Sequence, residues 1–427
     1  MVDAQTSSSR HRVVDRRTRS TRRIPRGLAF VTVSASLLAF FVAAGAPTPL
    51  LPIYERNWGF DPSLLTVAFG VYAFGLILTL LVAGSLSDFI GRRPLLIGAL
   101  AVELASVVVF LFAPSIGWLI FGRVLQGIAT GAASSTFGAA IVELAPEGRK
   151  RLGAVMTSLM TTGGLGIGAL FSGLIALLIP QSAALVVWVV LVVIMASGTA
   201  FAVFTPETSA QRPGALRSLV PRVTVPATVR RLFASTSPTI VALFLETALF
   251  LGLVPTILGS VFAISTPIIG GVVNFLMFGL ATATAASAGS VQPRRLKIFG
   301  NIGMVIGMAL FVGAIATTGI GLVWASAAIA GAGMGAAFSG STRGLIGEVQ
   351  PHQRASLLAA LFTVAYVTFG VSAIIAGFIA SAIGVKSMAV GFGIVVIVIA
   401  LLGLVLTVGL RGRVRVGHGR TVRTAIK

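Results

Sequence analysis

The chain has no cysteine, three histidines and only 11 acids among 427 residues. Without cysteine there can be no disulfide, thiolate metal site or thiol nucleophile, and nothing in the sequence reports a redox compartment. His11, His352 and His418 all fall in tails or loops outside the apolar runs. No imidazole is therefore placed to carry a proton or hold a metal within those runs. No glycine-rich loop ends in Gly-Lys-Ser/Thr, so nothing reads as an ATP-driven pump, and no cofactor is expected. Charge of either sign is scarce, at 10% of residues against 56% hydrophobic. That is too little to cover a soluble body of this length, so the class is a polytopic membrane protein.

The charge that is present is mostly positive, with 32 Lys and Arg and a net charge of +21. On a soluble domain this excess would point to nucleic acid. Here the basic residues sit between and beyond the apolar runs, which marks membrane topology and leaves no nucleic-acid partner. Arg92/Arg93, Arg149/Lys150/Arg151, Arg212 to Arg231, Arg294/Arg295/Lys297 and Arg354 occupy one set of connections, and both tails share their side. The opposite connections hold Arg56 and Lys386. The positive-inside rule then puts both termini in the cytoplasm of a multi-pass protein of the cell (inner) membrane, with anionic lipids near the basic tails. Trp58, Trp118, Trp188 and Trp324 are expected in an interfacial belt at the outer ends. The arginine-rich start followed by an apolar run resembles a signal peptide, but the run is too long for one and is expected to be a retained first helix.

Runs of about 20 apolar residues are long enough to cross the hydrocarbon core, and twelve are present. Backbone groups in lipid must be paired internally and no barrel-strand pattern occurs, so an all-α integral membrane fold follows. The two halves of the chain repeat in parallel. Glu143-Leu-Ala-Pro146-Glu-Gly-Arg149 matches Glu348-Val-Gln-Pro351-His-Gln-Arg354, Gly127-x-x-x-Gly131-Ala-Ala matches Gly331-x-x-x-Gly335-Ala-Ala, and Pro47-Thr48 matches Pro255-Thr256. Three matches in one order predict two six-helix halves. The expected divisions are a basic tail at 1–27, a first half at 28–205, a linker at 206–236, a second half at 237–410 and a basic tail at 411–427.

Between the second and third runs the sequence reads Gly84-x-Leu-x-Asp88-x-x-Gly91-Arg92-Arg93. It resembles the loop 2–3 signature of the major facilitator superfamily, and the resemblance extends over the whole membrane region. It implies a secondary transporter of two six-helix halves, with no enzymatic activity. It also implies that Asp88 stabilises the N-terminus of span 11 and that the arginines pair with Glu143, latching the cytoplasmic side. Phe89 departs from the family pattern, where a basic residue is common. The second-half copy, Pro293-Arg294-Arg295-Leu-Lys297, lacks the acid, so a symmetric gate is not expected. On the residues alone, Arg92 and Arg93 could equally be positive-inside anchors.

Arg123-Val-Leu-Gln126-Gly127 in span 4 resembles a second family motif, one linked to proton coupling. An arginine inside a membrane must be paired or hydrated. Glu103 lies within roughly 3 Å of its depth across the hairpin, so a structural ion pair is expected. Glu246 sits in span 7, about 15 Å from one end. By resemblance, spans 1, 4, 7 and 10 line a central cavity, which makes Glu246 the candidate proton carrier, with Arg123 expected close enough to tune it or to bind an anionic substrate and Gln126 and Glu103 beside it. The alternative for Glu246 is a hydrogen bond to a neighbouring helix. The run Gly163 to Gly173 in span 5 resembles an antiporter motif, with Ala169 where that motif has proline; small residues in helix packing explain it equally well. Pro206-Glu207-Thr208 reads either as a family pattern or as a helix stop with a capping acid. Pro47, Pro49 and Pro52 are expected to break the outer half of span 1. Phe40, Phe41, Phe244, Phe250 and Phe338 are expected on cavity helices. The expected function is monomeric, proton-coupled efflux of a small, lipophilic substrate. Uptake by symport or facilitation is the alternative, and an integral-membrane transferase a remote one.

Overall fold

The computed structural model describes residues 23–409 apart from 62, 210, 212, 221, 222, 351 and 352, and of Arg217 only the backbone. His11, His352, His418, Arg212 and Arg222, with the tails expected at 1–27 and 411–427 except residues 23–27, lie outside the described residues. Twelve helices among those described are long and apolar enough to cross a membrane: α1 Arg26–Trp58, α2 Ser63–Ala83, α3 Arg92–Leu111, α4 Ile116–Leu144, α5 Lys150–Leu178, α6 Pro180–Phe204, α7 Ala227–Phe262, α8 Pro267–Ser290, α9 Pro293–Thr317, α10 Ile320–Gly347, α11 Arg354–Ile383 and α12 Val385–Gly409. An even number of spans puts the start of α1 and the end of α12 on one face, the terminal face. α7 begins earlier than the apolar run at 237, because its first turns carry Arg230 and Arg231, which hydropathy cannot register as helix.

Helix starts follow local chemistry. Asp61 Oδ1 accepts the Ser63 N–H at 2.8 Å at the start of α2. α8 and α9 begin on Pro267 and Pro293, whose missing N–H costs nothing in a first turn. The prolines of α1 divide it into Arg26–Gly45 and Pro47–Trp58 without parting the two pieces. The chain stays helical through a joint at Ala46 (φ −59°, ψ −34°), and each proline instead leaves a carbonyl one turn back without its intrahelical donor. In α7 the regularity lapses differently, in a single π turn at Leu249–Leu253.

Small residues decide how closely the helices approach. A Cβ at Gly127 or Gly131 of α4 would strike the Tyr72 or Leu76 carbonyl of α2. One at Gly331 or Gly335 of α10 would strike the Met277 or Ala281 carbonyl of α8. The repeated Gly-x-x-x-Gly thus does one job twice, seating the fourth helix of each half on the second. The glycines of α5 are also packing surfaces: Gly164 and Gly168 meet α1, while Gly166 and Gly173 meet α8 of the other half.

Across the halves, α5 packs along α8 and α2 packs on α11. The α2–α11 contact lies toward the face opposite the termini, where Thr66 meets Gly377 and Gly70 meets Gly370 and Ile374. α4 has no extended packing on α10 or α11 among the described residues. The halves are therefore closed at the opposite face, whereas toward the terminal face α5 and α8 still meet, Arg151 lying against Gly289, and α4 stands apart from α10 and α11. One aromatic departs from the expected belt. Trp188 is fully buried, donating to Tyr54 Oη at 2.7 Å and stacking on Phe110.

Candidate functional site

The turn between α2 and α3 is built around Gly91, whose φ of 110° is open to glycine and strained for other residues. It turns the first N–H groups of α3 toward Glu207, at the end of α6. Glu207 accepts from Arg92 N at 2.8 Å and Arg93 N at 3.1 Å, and also from the N–H groups of Thr208 and Ser209. An acid on a distant segment thus caps α3 where its orphan donors and positive dipole end lie. The Arg92 side chain reaches Glu143 at the end of α4, with Nη2 to Oε1 at 3.0 Å. Its Nη1 pairs with Asp88 Oδ1 at 2.5 Å. Glu143 Oε2 also accepts from Thr208 Oγ1, and Ser209 and Gln211 donate to the backbone carbonyls of Asp88 and Ile90.

Every one of these contacts lies in the first half or in the chain that follows it. Asp88, half-exposed, pairs with Arg92, and among the described residues its carboxylate has no hydrogen bond or ion pair to the start of α11, which departs from the expectation for that acid. Gly84 is spent on its own turn beside the Leu80 carbonyl, and Arg93 contributes its backbone donor. In the second half the counterpart arginine does other work. Arg294 donates to the Thr407 and Val408 carbonyls that end α12, and Arg343 to the Ala288 and Gly289 carbonyls that end α8. With no acid at the Asp88 position, Arg294 settles on a helix C-terminus, as Arg343 does, where cations are favoured.

A polar cluster lies deeper. Arg123, Gln126 and Glu103 are all buried. Arg123 and Glu103 form no direct ion pair: Gln126 stands between them, accepting from Arg123 Nη1 at 2.6 Å and donating to Glu103 Oε1 at 2.9 Å. The same Gln126 amide donates to the Ala43 carbonyl at 3.1 Å, the one left free by Pro47. The Arg123 guanidinium lies over the rings of Phe69 and Tyr72, 4.8 and 4.6 Å from their centroids, a favourable seat for a desolvated cation. One oxygen of Glu103 and one nitrogen of Arg123 remain without a partner. At the repeat positions in α10 stand Ala327 and Ala330, the latter packed on Gly307, so the second half has a close-packed seam where the first has this cluster.

Glu246 is fully buried, and neither carboxyl oxygen has a hydrogen-bond partner. It follows Thr239 by seven residues, so at about 100° per residue the two side chains leave α7 within about 20° of each other. Thr239 Oγ1 accepts from Asn301 of α9 at 3.1 Å and lies against Gly403 of α12. Phe250, one turn past Glu246, packs on Phe311 of α9. Glu246 therefore points into the second half, toward α9 and α12, and not into the space between the halves as span counting led one to expect. Phe40, Phe41 and Phe250 are likewise core residues, Phe40 packing on both Phe41 and Phe137. Phe244 and Phe338 belong to an aromatic series with Phe362 and Tyr366 that the sequence did not single out. Glu207 as the cap of α3 was also missed, because its partners are more than a hundred residues away.

Twelve membrane-crossing helices in two repeated halves, with a polar cluster buried in the first, define a secondary transporter and not an enzyme. The chain belongs to the major facilitator superfamily, whose family model matches residues 32–341. It is similar to the inner membrane transport protein YajR of Escherichia coli, at 32% identity over 157 residues, 33% of this chain and 34% of that protein. It is also similar to the MFS-type transporter YfkL of Bacillus subtilis, at 28% identity over 108 residues, 25% of this chain and 27% of that one. The matched stretches thus span about a third or less of each relative. The fold resembles that of the nucleoside transporter NupG with a TM-score of 0.68 at 12% identity, over 88% of this chain and 99% of that one.

Proposed function

We propose that this chain is a proton-coupled exporter of a small lipophilic molecule, exchanging substrate for protons by alternating access. The observation that carries the reading is Glu246, enclosed in the second half with neither oxygen partnered. An ionised, unpaired carboxyl in the membrane interior costs several kcal/mol, so in this conformation a proton on Glu246 removes the cost. Coupling then acts through α7 and not by competition in one cavity. The π turn begins three residues past Glu246, and its Gly252 rests against Phe69, the ring that carries Arg123. Losing the proton would favour a rearrangement of α7 that brings water or a partner to Glu246, and the Phe69 contact passes that change to the other half. The Lys/Arg bias supports a cell-membrane protein with cytoplasmic termini and anionic lipid near its basic ends.

Two measurements test this. In inverted vesicles with an imposed acid-inside gradient, external substrate should discharge the gradient; a symporter would discharge it only with substrate loaded inside. Glu246→Gln should lower gradient-driven transport at least tenfold while leaving downhill counterflow intact. Full proton-driven transport by that variant would rule out the coupling role.

A further inference from the structure

Four aromatic side chains form a continuous series on one wall of the second half. Phe338 of α10, Phe362 and Tyr366 of α11 and Phe244 of α7 follow one another with ring centroids 6.5, 6.0 and 5.3 Å apart. Phe338, Phe362 and Tyr366 are only partly buried. They do not face lipid. On α11 the outward residues Val371 and Ile375 leave the helix roughly opposite to Tyr366, so the rings face the parting between the halves. The inner end of the series is closed. One turn past Tyr366, Gly370 meets Ala73 of α2, next to Tyr72 and the guanidinium it carries.

Charge around this wall is one-sided. Glu246 lies two residues from Phe244 and so about 200° around α7, on the side of α9 and α12. Glu103 is held behind Arg123 by Gln126. No acid faces the rings among the described residues, and the ionised group at their inner end is an arginine. A cation placed here would gain the attraction of the ring faces but find no counter-charge, and it would approach a like charge in a medium where such repulsion is weakly screened. Stacked rings instead favour flat π faces over saturated skeletons of equal size.

We infer that Phe362 and Tyr366, extended by Phe338 and Phe244, form the binding surface for the transported molecule, and that this molecule is a planar aromatic without positive charge. The inference rests on reading the chain as a carrier of lipophilic molecules and narrows that class. Calorimetric titration of the full-length protein in detergent tests it with three probes: 2-naphthol, its saturated analogue decahydro-2-naphthol, and the cation (2-naphthylmethyl)trimethylammonium. Naphthol should bind saturably and both other probes at least tenfold more weakly. Phe362→Leu should weaken naphthol by about threefold to tenfold, the range for one aromatic pair, and Phe362→Tyr should keep the affinity. Equal or tighter binding of the cation or of the saturated probe, no saturable naphthol binding, or an unchanged Phe362→Leu protein would each overturn the assignment. Detergent holds no gradient, so failure here is separate from failure of proton coupling, which the vesicle assay reads.

Discussion

Glu207 shows how much a single residue can hold without announcing itself. Its sequence context, Pro206-Glu207-Thr208, reads as the end of α6, yet its carboxylate organises the start of α3 and the chain that follows α6 at once. The Arg92–Glu143 pair was legible because a known motif names both partners. The Glu207 cap was not, because N–H donors have no sequence signature and the contact is long-range. Removing the carboxylate orphans two half-buried helix donors at a dipole end, a loss of about 1–3 kcal/mol. Glu207→Ala should therefore lower the thermal midpoint of the purified protein by several degrees. Glu207→Gln, which keeps an acceptor, should recover most of it, and equal midpoints for Ala and Gln would assign the effect elsewhere. Asp61, outside the spans, offers a contrast: hydrogen bonds from Ser63 hold its carboxyl below the usual range, but it is exposed and contributes little.

At the scale of the element, prolines in α1 and a glutamine in α4 form one unit. Hydropathy located both helices, and the prolines were read as a break because a lost N–H normally ends a helix. The helix continues because the freed Ala43 carbonyl finds a donor in Gln126. That pairing also separates Arg123 from Glu103, where depth counting had them in contact; a count along two helices gives height and not the side chain between them. Gln126→Leu would leave the carbonyl unsatisfied and unbridge two buried ionisable groups at once. It should destabilise by about 3 kcal/mol or more. Gln126→Glu puts an acceptor where two donor contacts were and should fare no better. A Gln126→Leu protein with wild-type denaturation would show that water replaces the amide. The same limit explains Glu246: its depth was readable from span 7, but its azimuth needed Thr239 and the helices that Thr239 touches.

For the whole molecule, the repeat was visible in the sequence because the same glycines seat α4 on α2 and α10 on α8. What the repeat hid is how unlike the halves have become, with ion pairs and the Arg123 cluster in one, and small-residue seams and an aromatic wall in the other. They meet at the opposite face through Thr66 on Gly377, Gly70 on Gly370, and a hydrogen bond from Ser381 to Asp61 at 3.4 Å. Among the described residues that is the one side-chain hydrogen bond between the halves, so closure there depends on shape more than charge. A Cβ at Gly377 would collide with Thr66, and a leucine there cannot be accommodated without parting α2 from α11. Gly377→Leu should thus shift the population toward a state open at that face; a bias of about 1.4 kcal/mol is already tenfold. The absence of cysteine makes the readout direct. A single cysteine at Ala73 of α2, fully buried against Gly370 of α11, should react with a bulky maleimide at least tenfold faster in the Gly377→Leu background than without it. Gly377→Ala, with less to displace, should give an intermediate rate. If the leucine variant folds and labels no faster, α2 and α11 do not govern access at this face, and closure must be assigned to the α5–α8 seam instead.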